Sequence, residues 1–202
     1  GPAADTRLQV KVPRAAALEI DAVSADVRID GIVGSREIGV ESVSGDVRLE
    51  AQTQRLALTS VSGDVESSGS ATRASLETVS GDLVASGLGG EIDVETVSGD
   101  ARVTAGEVDR VTASTVSGSI ELELVPRGTA TIRGETMSGE LLLRVPAELA
   151  AKIEGETFSG SIRSDFGTVE REEHGPGEKL RATAGAGAAR IEVETFSGDL
   201  EI

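Results

Sequence analysis

Aromatic residues and cysteine are almost absent from this sequence. It contains no Cys, Trp or Tyr and only three Phe. The lack of cysteine is compatible with any cellular compartment, including that of an exported bacterial protein that needs no disulfide. The lack of Trp and Tyr argues against an enzyme that cleaves polysaccharides and against a nucleic-acid binder, because both often stack their ligands on such rings.

Positive charge and long apolar runs are also scarce. The chain has 19 Lys and Arg against 35 Asp and Glu, which gives a net charge of −16 and a pI of about 4.4. This balance argues against DNA, RNA and anionic membrane surfaces as ligands. It favours solubility or a basic protein or cell-surface partner. No apolar stretch approaches the ~18 residues of a membrane span.

One short motif is abundant: an apolar residue followed by Ser, Gly and an acidic residue. Nine exact or variant copies occur, with their serines at positions 24, 44, 62, 80, 98, 117, 138, 159 and 197. We interpret the motif as a structural turn and assign to it Ser44, Gly45, Asp46, Ser62, Gly63, Asp64, Ser80, Gly81, Asp82, Ser98, Gly99, Asp100, Ser197, Gly198 and Asp199.

The spacing of the motif predicts the fold. The interval is 18 residues from Ser44 to Ser98 and 19 to 21 in later copies, before a final gap of 38. A helical repeat needs about 33 residues or more. We therefore predict an all-β fold, a single-stranded parallel β-solenoid of about 9–10 rungs of 18–21 residues, where a rung is one circuit of the chain. We favour right-handed winding because the hexad spacing of the left-handed type is missing. An antiparallel sandwich is the alternative, but it gives no reason for the recurrence.

Alignment of the copies on their Ser, taken as position 0, predicts which side chains face the core. Aliphatic residues dominate positions −6, −4, +3 and +5, Thr or Ser is common at −2, and Val, Met or Phe occupies −1. Alternation in a strand places every second residue on one face. We expect −6, −4 and −2 inside, followed by −1, +1, +3 and +5, with a corner where Thr96 and Val97 both point inward. Gly at +1 would fit where that corner leaves no room for a side chain.

The two chain ends and one segment depart from the repeat. Gly1-Pro2 looks like the scar of a cleaved expression tag, so we expect residues 3–202 to form a single β-solenoid domain and a native signal or anchor to have been removed. Residues 165–180 are rich in Gly, Pro and charge, which predicts an irregular solvated loop insertion. Ile202 falls on an inward position, so we expect nothing in this sequence to cover the last rung.

The Asp column of the motif is the first candidate site. Stacked carboxylates at ~4.8 Å repel one another unless they are compensated. One hypothesis is a row of calcium sites, because Ca²⁺ binds carboxylate oxygens. The other is that each Asp accepts a hydrogen bond from a turn amide or pairs with the Arg two residues on, at Arg28, Arg48 and Arg102. The Gly-Gly-x-Gly-x-Asp calcium signature is missing, so we predict no cofactor, with calcium as the alternative.

A second column, at position −3, is the candidate interaction face. Its members are Glu41, Glu77, Glu95, Glu135, Glu156 and Glu194. Outward carboxylates form either a solvated face or a docking face for a basic partner. The Thr column at −2 resembles the arrays of ice-binding solenoids, but our register places it inside, where each hydroxyl can bond the next rung.

No catalytic set is evident. His174 is the only histidine and lies among Glu172, Glu173 and Glu178 in a Gly- and Pro-containing segment, which is typical of a solvated loop more than of a metal site. No Ser/His/Asp set can be assembled around it on a rigid scaffold. We therefore predict no catalytic, cofactor-binding or metal-binding residue, and a protein that is not an enzyme.

The repeat resembles a bacterial family of repeat domains that carries the label of adhesin and whose function is largely undefined. The resemblance covers about Leu18 to Ile202 and rests on the pattern Glu-Thr-Val-Ser-Gly-Asp, with Ile191–Leu200 similar to the closing rungs of that family. It implies a bacterial protein of the periplasm, the cell envelope or the exported fraction, and it brings no catalytic residues.

Two functions follow as predictions. The first is a non-enzymatic adhesion or interaction module. The second is a structural scaffold that stacks end to end, as a homo-oligomer, through open solenoid ends, because an uncovered rung presents unpaired backbone groups.

Overall fold

The computed structural model describes residues 9–171 and 176–202. These residues contain fourteen β-strands and no helix. The strands are β1 Leu18–Ala22, β2 Val27–Ser44, β3 Val47–Ser62, β4 Val65–Ser80, β5 Leu83–Ser98, β6 Ala101–Ser117, β7 Ile120–Ser138, β8 Leu141–Arg144, β9 Ala151–Ser159, β10 Ile162–Arg163, β11 Thr168–Arg171, β12 Glu178–Ala184, β13 Ala189–Ser197 and β14 Leu200–Glu201.

The strands stack in parallel and confirm the β-solenoid. From β1 to β7, each strand pairs in parallel with the next. Residues that are equivalent in the repeat are partners, so that Leu58 pairs with Leu76 and Leu76 with Val94. The stack has about seven turns. This is fewer than the number of motif copies, because the first copy follows only the partial turn of β1 and the last copies are divided among short strands.

The core is a set of stacked columns that the repeat predicts correctly. Positions −6, −4, +3 and +5 are buried through the middle of the stack, as in Ile92, Val94, Ala101 and Val103. The Thr and Ser side chains at −2 are buried with them. Narrow β-rungs leave an interior that these small and branched side chains fill without aromatic rings.

The predicted inward position of the −1 column is wrong. Val97 is 48% exposed, whereas the preceding Thr96 is only 4% exposed. The strand does not alternate through the motif, because Gly99 takes a φ of +128° and turns the chain outward around the corner. Val97 and Ser98 therefore lie on the outside of a convex bend, and alternation resumes with buried Ala101.

The C-terminal rung is inserted between two earlier rungs. β13 pairs in parallel with β7 on one side and with β9 on the other. β14 likewise lies between β8 and β10. The chain therefore skips one level between β8 and β9, which accounts for the longer return at residues 145–150. Ile202 is only 7% exposed, so the expectation of an uncovered last rung at Ile202 is wrong.

An antiparallel hairpin covers the C-terminal end of the stack. β12 pairs antiparallel with β9, and β11 pairs antiparallel with β12. The predicted irregular loop over residues 165–180 is thus wrong for residues 168–171 and 178–180, which are strands. Leu180 is buried over Gly155, where an added Cβ would lie 3.4 Å from the Cβ of Leu180. Glycine at this −4 position therefore makes room for the cap.

Glu178 ties the hairpin to the stack. Its Oε2 accepts the N–H of Ile162 at 2.8 Å, and its Oε1 accepts the guanidinium of Arg171 at 3.1 Å. The Ile162 N–H, followed by Arg171, lowers the pKa of the Glu178 carboxyl below its usual 4.5. Since the folded-state pKa is lowered, the stabilisation is present above about pH 4.5 and is lost as the pH falls through the folded-state pKa.

The N-terminal end is built differently. Among the described residues, β1 is paired only with β2, so its other edge has no neighbouring strand. Leu18, Ile20 and Val27 are only partly buried, in contrast to their equivalents in the middle of the stack. Residues 1–8 lie outside the described part of the chain, and so does the predicted tag scar Gly1-Pro2.

Candidate functional site: the axial groove and the corner ladders

Glycine at the corner is required by the approach of neighbouring rungs. Gly81 has a φ of +125°, and an added Cβ would lie 2.4 Å from the carbonyl oxygen of Gly63. The same clash recurs down the column, ending with Gly198 against Gly139 and Gly160 against Gly198. The obstacle is the backbone of the adjacent rung along the axis, not the crowded interior that the sequence predicted. The Gly column thus sets the tight stacking of the corners.

The Asp column forms a hydrogen-bonded ladder along the corners. Asp64 Oδ1 accepts the backbone N–H of Asp82 at 3.0 Å, and Asp82 Oδ1 accepts that of Asp100 at 3.1 Å. The ladder begins at Asp26 and ends at Ser119, which has no carboxylate to continue it. Near the C-terminal end, Asp199 accepts both the N–H and the hydroxyl of Ser161, which lowers its pKa. Each Asp thus bonds a turn amide of the next rung, as one of the two hypotheses held.

The predicted pairing of these Asp residues with Arg two positions on is mostly wrong. Only Arg48 lies near its Asp, with Asp46 Oδ2 at 3.7 Å from a guanidinium nitrogen. Arg28 pairs with Asp30, and Arg102 pairs with Glu121 of the next rung. Arg102 and Arg144 together lower the pKa of Glu121. The outward Arg side chains bridge neighbouring carboxylates instead of serving the turn.

Metal ligands are not clustered in the described part of the chain. Within residues 9–171 and 176–202, no group of three or more His, Asp or Glu side chains is placed to hold a metal ion. His174, with Glu172 and Glu173, lies outside the described residues. The calcium alternative for the Asp column stays a prediction, and one oxygen of each Asp in the ladder is already engaged by backbone.

The Thr column is buried, as predicted, but its hydrogen bonds differ from the prediction. Where a bond forms, the hydroxyl donates to the Gly carbonyl of its own corner, as from Thr195 to Gly198 at 3.1 Å and from Thr157 to Gly160 at 3.3 Å. The hydroxyls of Ser42, Thr78, Thr96, Thr115 and Thr136 have no hydrogen-bond partner. These side chains lie at the floor of a surface groove rather than on an exposed flat face.

The six predicted interaction-face carboxylates are all exposed and lie in one line. Glu41, Glu77, Glu95, Glu135, Glu194 and Glu156 occur in that order along the solenoid axis, with Thr59 and Ser114 interrupting them. We call this line the acidic rail. Within the described residues, only Glu156 of the six has an ion pair, with Lys179 at 3.1 Å.

A line of exposed apolar side chains runs beside the acidic rail. It consists of the −1 residues in axial order: Val43, Val61, Val79, Val97, Val116, Met137, Phe196 and Phe158. We call this line the apolar stripe. Soluble proteins usually expose large apolar side chains singly, and a contiguous line marks an interaction site. The side chains grow from Val through Met to Phe toward the C-terminal end.

The rail and the stripe form the two walls of a groove with Thr side chains at its floor. The groove has a volume of about 650 Å³ and extends over seven levels, from Thr59 to Phe158. At its C-terminal end the rings of Phe158 and Phe196 stack with centroids 4.9 Å apart and planes within 4°. They are neighbours only because β13 is inserted beside β9. Two of the three aromatic residues in the chain are thus 60% and 56% exposed at one site.

The family follows from a comparison of the sequence with family models. The model described as Toastrack DUF4097 matches residues 2–202. The chain belongs to the Toastrack DUF4097 family. No curated protein and no solved structure matches it. The Toastrack assignment agrees with the β-solenoid, and the groove described above provides the site-level information.

The sequence predicted one wall of this Toastrack groove and missed the other. The acidic rail was identified from the outward −3 column. The apolar stripe was assigned to the core, because a column that is apolar in all nine copies is typical of buried positions. The signal that could have corrected this is the corner glycine, since positive φ breaks the alternation of the strand. Among the described residues, none forms a helix long and apolar enough to cross a membrane.

Proposed function

We propose that this Toastrack domain is a non-enzymatic interaction module that binds a basic protein partner in the axial groove. The observation that carries the proposal is the pairing of an acidic rail with an apolar stripe over seven levels. An apolar line supplies buried area, and an adjacent line of charge supplies orientation and selection against acidic partners. Together they form the arrangement of a binding surface for an amphipathic ligand.

The distribution of ion pairs supports a basic partner. On other faces, Arg side chains compensate the carboxylates, as in Arg73 with Glu91 and in Arg127 with Glu107 and Asp109. The rail carries no such compensation apart from the Lys179 contact to Glu156. A charged line of one sign raises the association rate of an oppositely charged partner and makes it sensitive to salt.

The proposed location is the bacterial envelope or the exported fraction, as the adhesin-type repeat implies. A stable fold without disulfides suits such a site, since hydrogen-bonded corner ladders and a continuous core hold the rungs together. Adhesion to a surface is one form of the proposed interaction, with the partner on the opposing surface.

The alternative of a scaffold that stacks end to end loses its original support. That hypothesis rested on an open rung at Ile202, but Ile202 is buried and the hairpin β11–β12 covers the C-terminal end. A homo-oligomer through solenoid ends stays a prediction that depends on the unpaired edge of β1.

Site-specific crosslinking tests the proposed function. A photoreactive amino acid replaces Met137 in the groove or, as a control, the similarly exposed Val125, which lies outside it. In cells of the source bacterium, we expect a specific adduct with a basic envelope protein from position 137 only. The purified partner should then bind about tenfold more weakly to the double variant Glu95→Lys/Glu135→Lys. Equal adducts from both positions, or binding that ignores the charge reversal, would refute the proposal.

A further inference from the structure

We infer that the partner presents a basic amphipathic α-helix that lies along the solenoid axis in the groove. This inference rests on the proposed function and specifies the shape and polarity of the ligand. Three features carry it: the axial spacing of the groove, its length and the graded size of the apolar stripe.

The axial spacing favours a helix over an extended chain. The walls repeat once per rung, at about 4.8 Å. A helix returns the same face to the surface once per turn, every 5.4 Å, so the mismatch is about 0.6 Å per rung. An extended segment presents the same face about every 6.6 Å, a mismatch of about 1.8 Å per rung. Contacts over four successive rungs therefore stay within reach for the helix and are lost for the extended segment.

The length of the groove sets the length of the helix. Seven levels line it, from the rung of Thr59 and Ser60 to that of Glu156 and Phe158. Six spacings of about 4.8 Å give about 29 Å. A helix with a rise of 1.5 Å per residue covers this distance with about 19 residues. This is an ordinary length for an amphipathic recognition helix that docks with anchors at i, i+3, i+4 and i+7.

The acidic rail determines the flank of the helix that faces it. Carboxylates at Glu77, Glu95, Glu135 and Glu194 need Lys or Arg opposite them, and these four have no ion pair within the described residues. Ser114 interrupts the rail, so one turn of the helix can be uncharged at that level. Glu156 already contacts Lys179, so it needs no cation from the partner.

The apolar stripe determines the orientation of the helix. Val79, Val97 and Val116 are short side chains, whereas Met137, Phe196 and Phe158 extend further from the rung. A straight helix that lies parallel to the axis needs bulky apolar residues over the Val rungs and small residues over the Phe pair. The bulky end of the helix therefore lies toward the N-terminal rungs. Exposed, stacked aromatic rings at the other end are typical of the residues that dominate binding energy.

Other occupants fit the groove less well. A second copy of this chain has no helix in the described residues, and its net charge of −16 repels another copy. A nucleic acid is repelled by the same rail. The helix therefore comes from a different protein.

Two synthetic peptides test the inference with the intact protein. Both have 19 residues and the same composition of Lys, Leu and Ala. One places Lys and Leu on adjacent flanks with helical spacing, and the other alternates them with a period of two. Binding is measured by fluorescence anisotropy at physiological salt. Circular dichroism at 222 nm reports helix formation, because the described part of the protein contains none.

We expect the helical peptide to bind about tenfold more tightly than the alternating one and to gain helical signal on binding. The double variant Phe158→Ala/Phe196→Ala should weaken it by about tenfold or more. So should Glu95→Lys/Glu135→Lys. The matched control Glu50→Lys/Glu123→Lys changes the net charge equally at exposed sites outside the groove and should have an effect of no more than about twofold.

The outcomes separate this inference from the proposed function. If the alternating peptide binds as tightly, or no helical signal appears while the rail variant still weakens binding, the helix is wrong and the basic-partner groove stands. If the rail variant and its control have equal effects, both proposals are wrong. Melting curves of the Phe variant verify that its fold is intact, and Met137→Ser provides a second stripe variant if it is not.

Discussion

The inserted C-terminal rung makes a specific prediction about Ile191. This side chain is 0% exposed and is paired in register with Ile132 of β7 and Ile153 of β9. Replacement of a buried Ile by Ala costs about 2–5 kcal/mol, because the transfer energy is lost and a cavity remains. In a solenoid the cost falls mainly on nearest-neighbour rungs. We therefore expect Ile191→Ala to loosen β7 and β9, which come before it in the sequence.

Hydrogen–deuterium exchange is the appropriate assay. A local loss of at least about 2 kcal/mol raises the exchange of the affected amides by about 30-fold, since each 1.4 kcal/mol corresponds to a factor of ten. We expect this increase at residues 131–138 and 151–157. The matched control is Ile92→Ala, which removes an equally buried side chain from the same column of a sequential rung. It should raise exchange in its neighbours β4 and β6 and leave β9 protected.

One result would refute the inserted order. If Ile191→Ala leaves β7 and β9 as protected as in the wild type, then β13 is not packed between them. A uniform rise over all rungs in both variants would instead show that the stack unfolds as one unit, contrary to the nearest-neighbour reasoning.

The other predictions concern the corner, the register, the cap and calcium. Gly81→Ala should destabilise the fold by at least about 1–3 kcal/mol in urea unfolding because of its positive φ and backbone clash, whereas Gly128→Ala, with nothing within 4 Å, should be nearly neutral; equal effects would contradict the corner stacking. Leu122→Asp should lower the melting temperature strongly because it buries an unpaired charge, and Val97→Asp only slightly; equal shifts would show that the register is wrong. Glu178→Gln should destabilise the cap above about pH 4.5 and make little difference at a pH below the folded-state pKa, where the carboxyl is already protonated; a difference that grows with acid would reverse the sign. Melting temperatures in calcium and in chelator should agree, and a rise with calcium would restore the metal hypothesis.

Much of the fold could be predicted because the repeat reports the core directly. The columns that include Ile92, Val94 and Val103 were assigned to the core from alternation alone, and each is buried. Val97 was misassigned because alternation does not continue through a glycine with positive φ. The rail was predicted as an outward column, but its role as one wall of a groove required the true position of Val97.

The order of the last rungs could not be predicted from column matching. The sequence Ile191-Glu192-Val193-Glu194-Thr195 fits any level of the stack equally well, because every level presents the same columns. The physical decision is made elsewhere: the return at residues 145–150 steps over one level, and the hairpin β11–β12 occupies the end position. Both features were visible in the sequence only as irregularities of length.

Equal spacing in the middle of the stack has a consequence for how such a protein can change its size. The strands β3, β4 and β5 begin 18 residues apart, and the β3–β4 pairing has no shift in register. A duplicated or deleted 18-residue period there leaves every corner and both terminal structures unchanged. Each added period would lengthen the groove by about 4.8 Å, or about three residues of a bound helix. In-frame changes in repeat number would thus act as a ruler, matching the binding surface to partners of different length without any new side-chain chemistry.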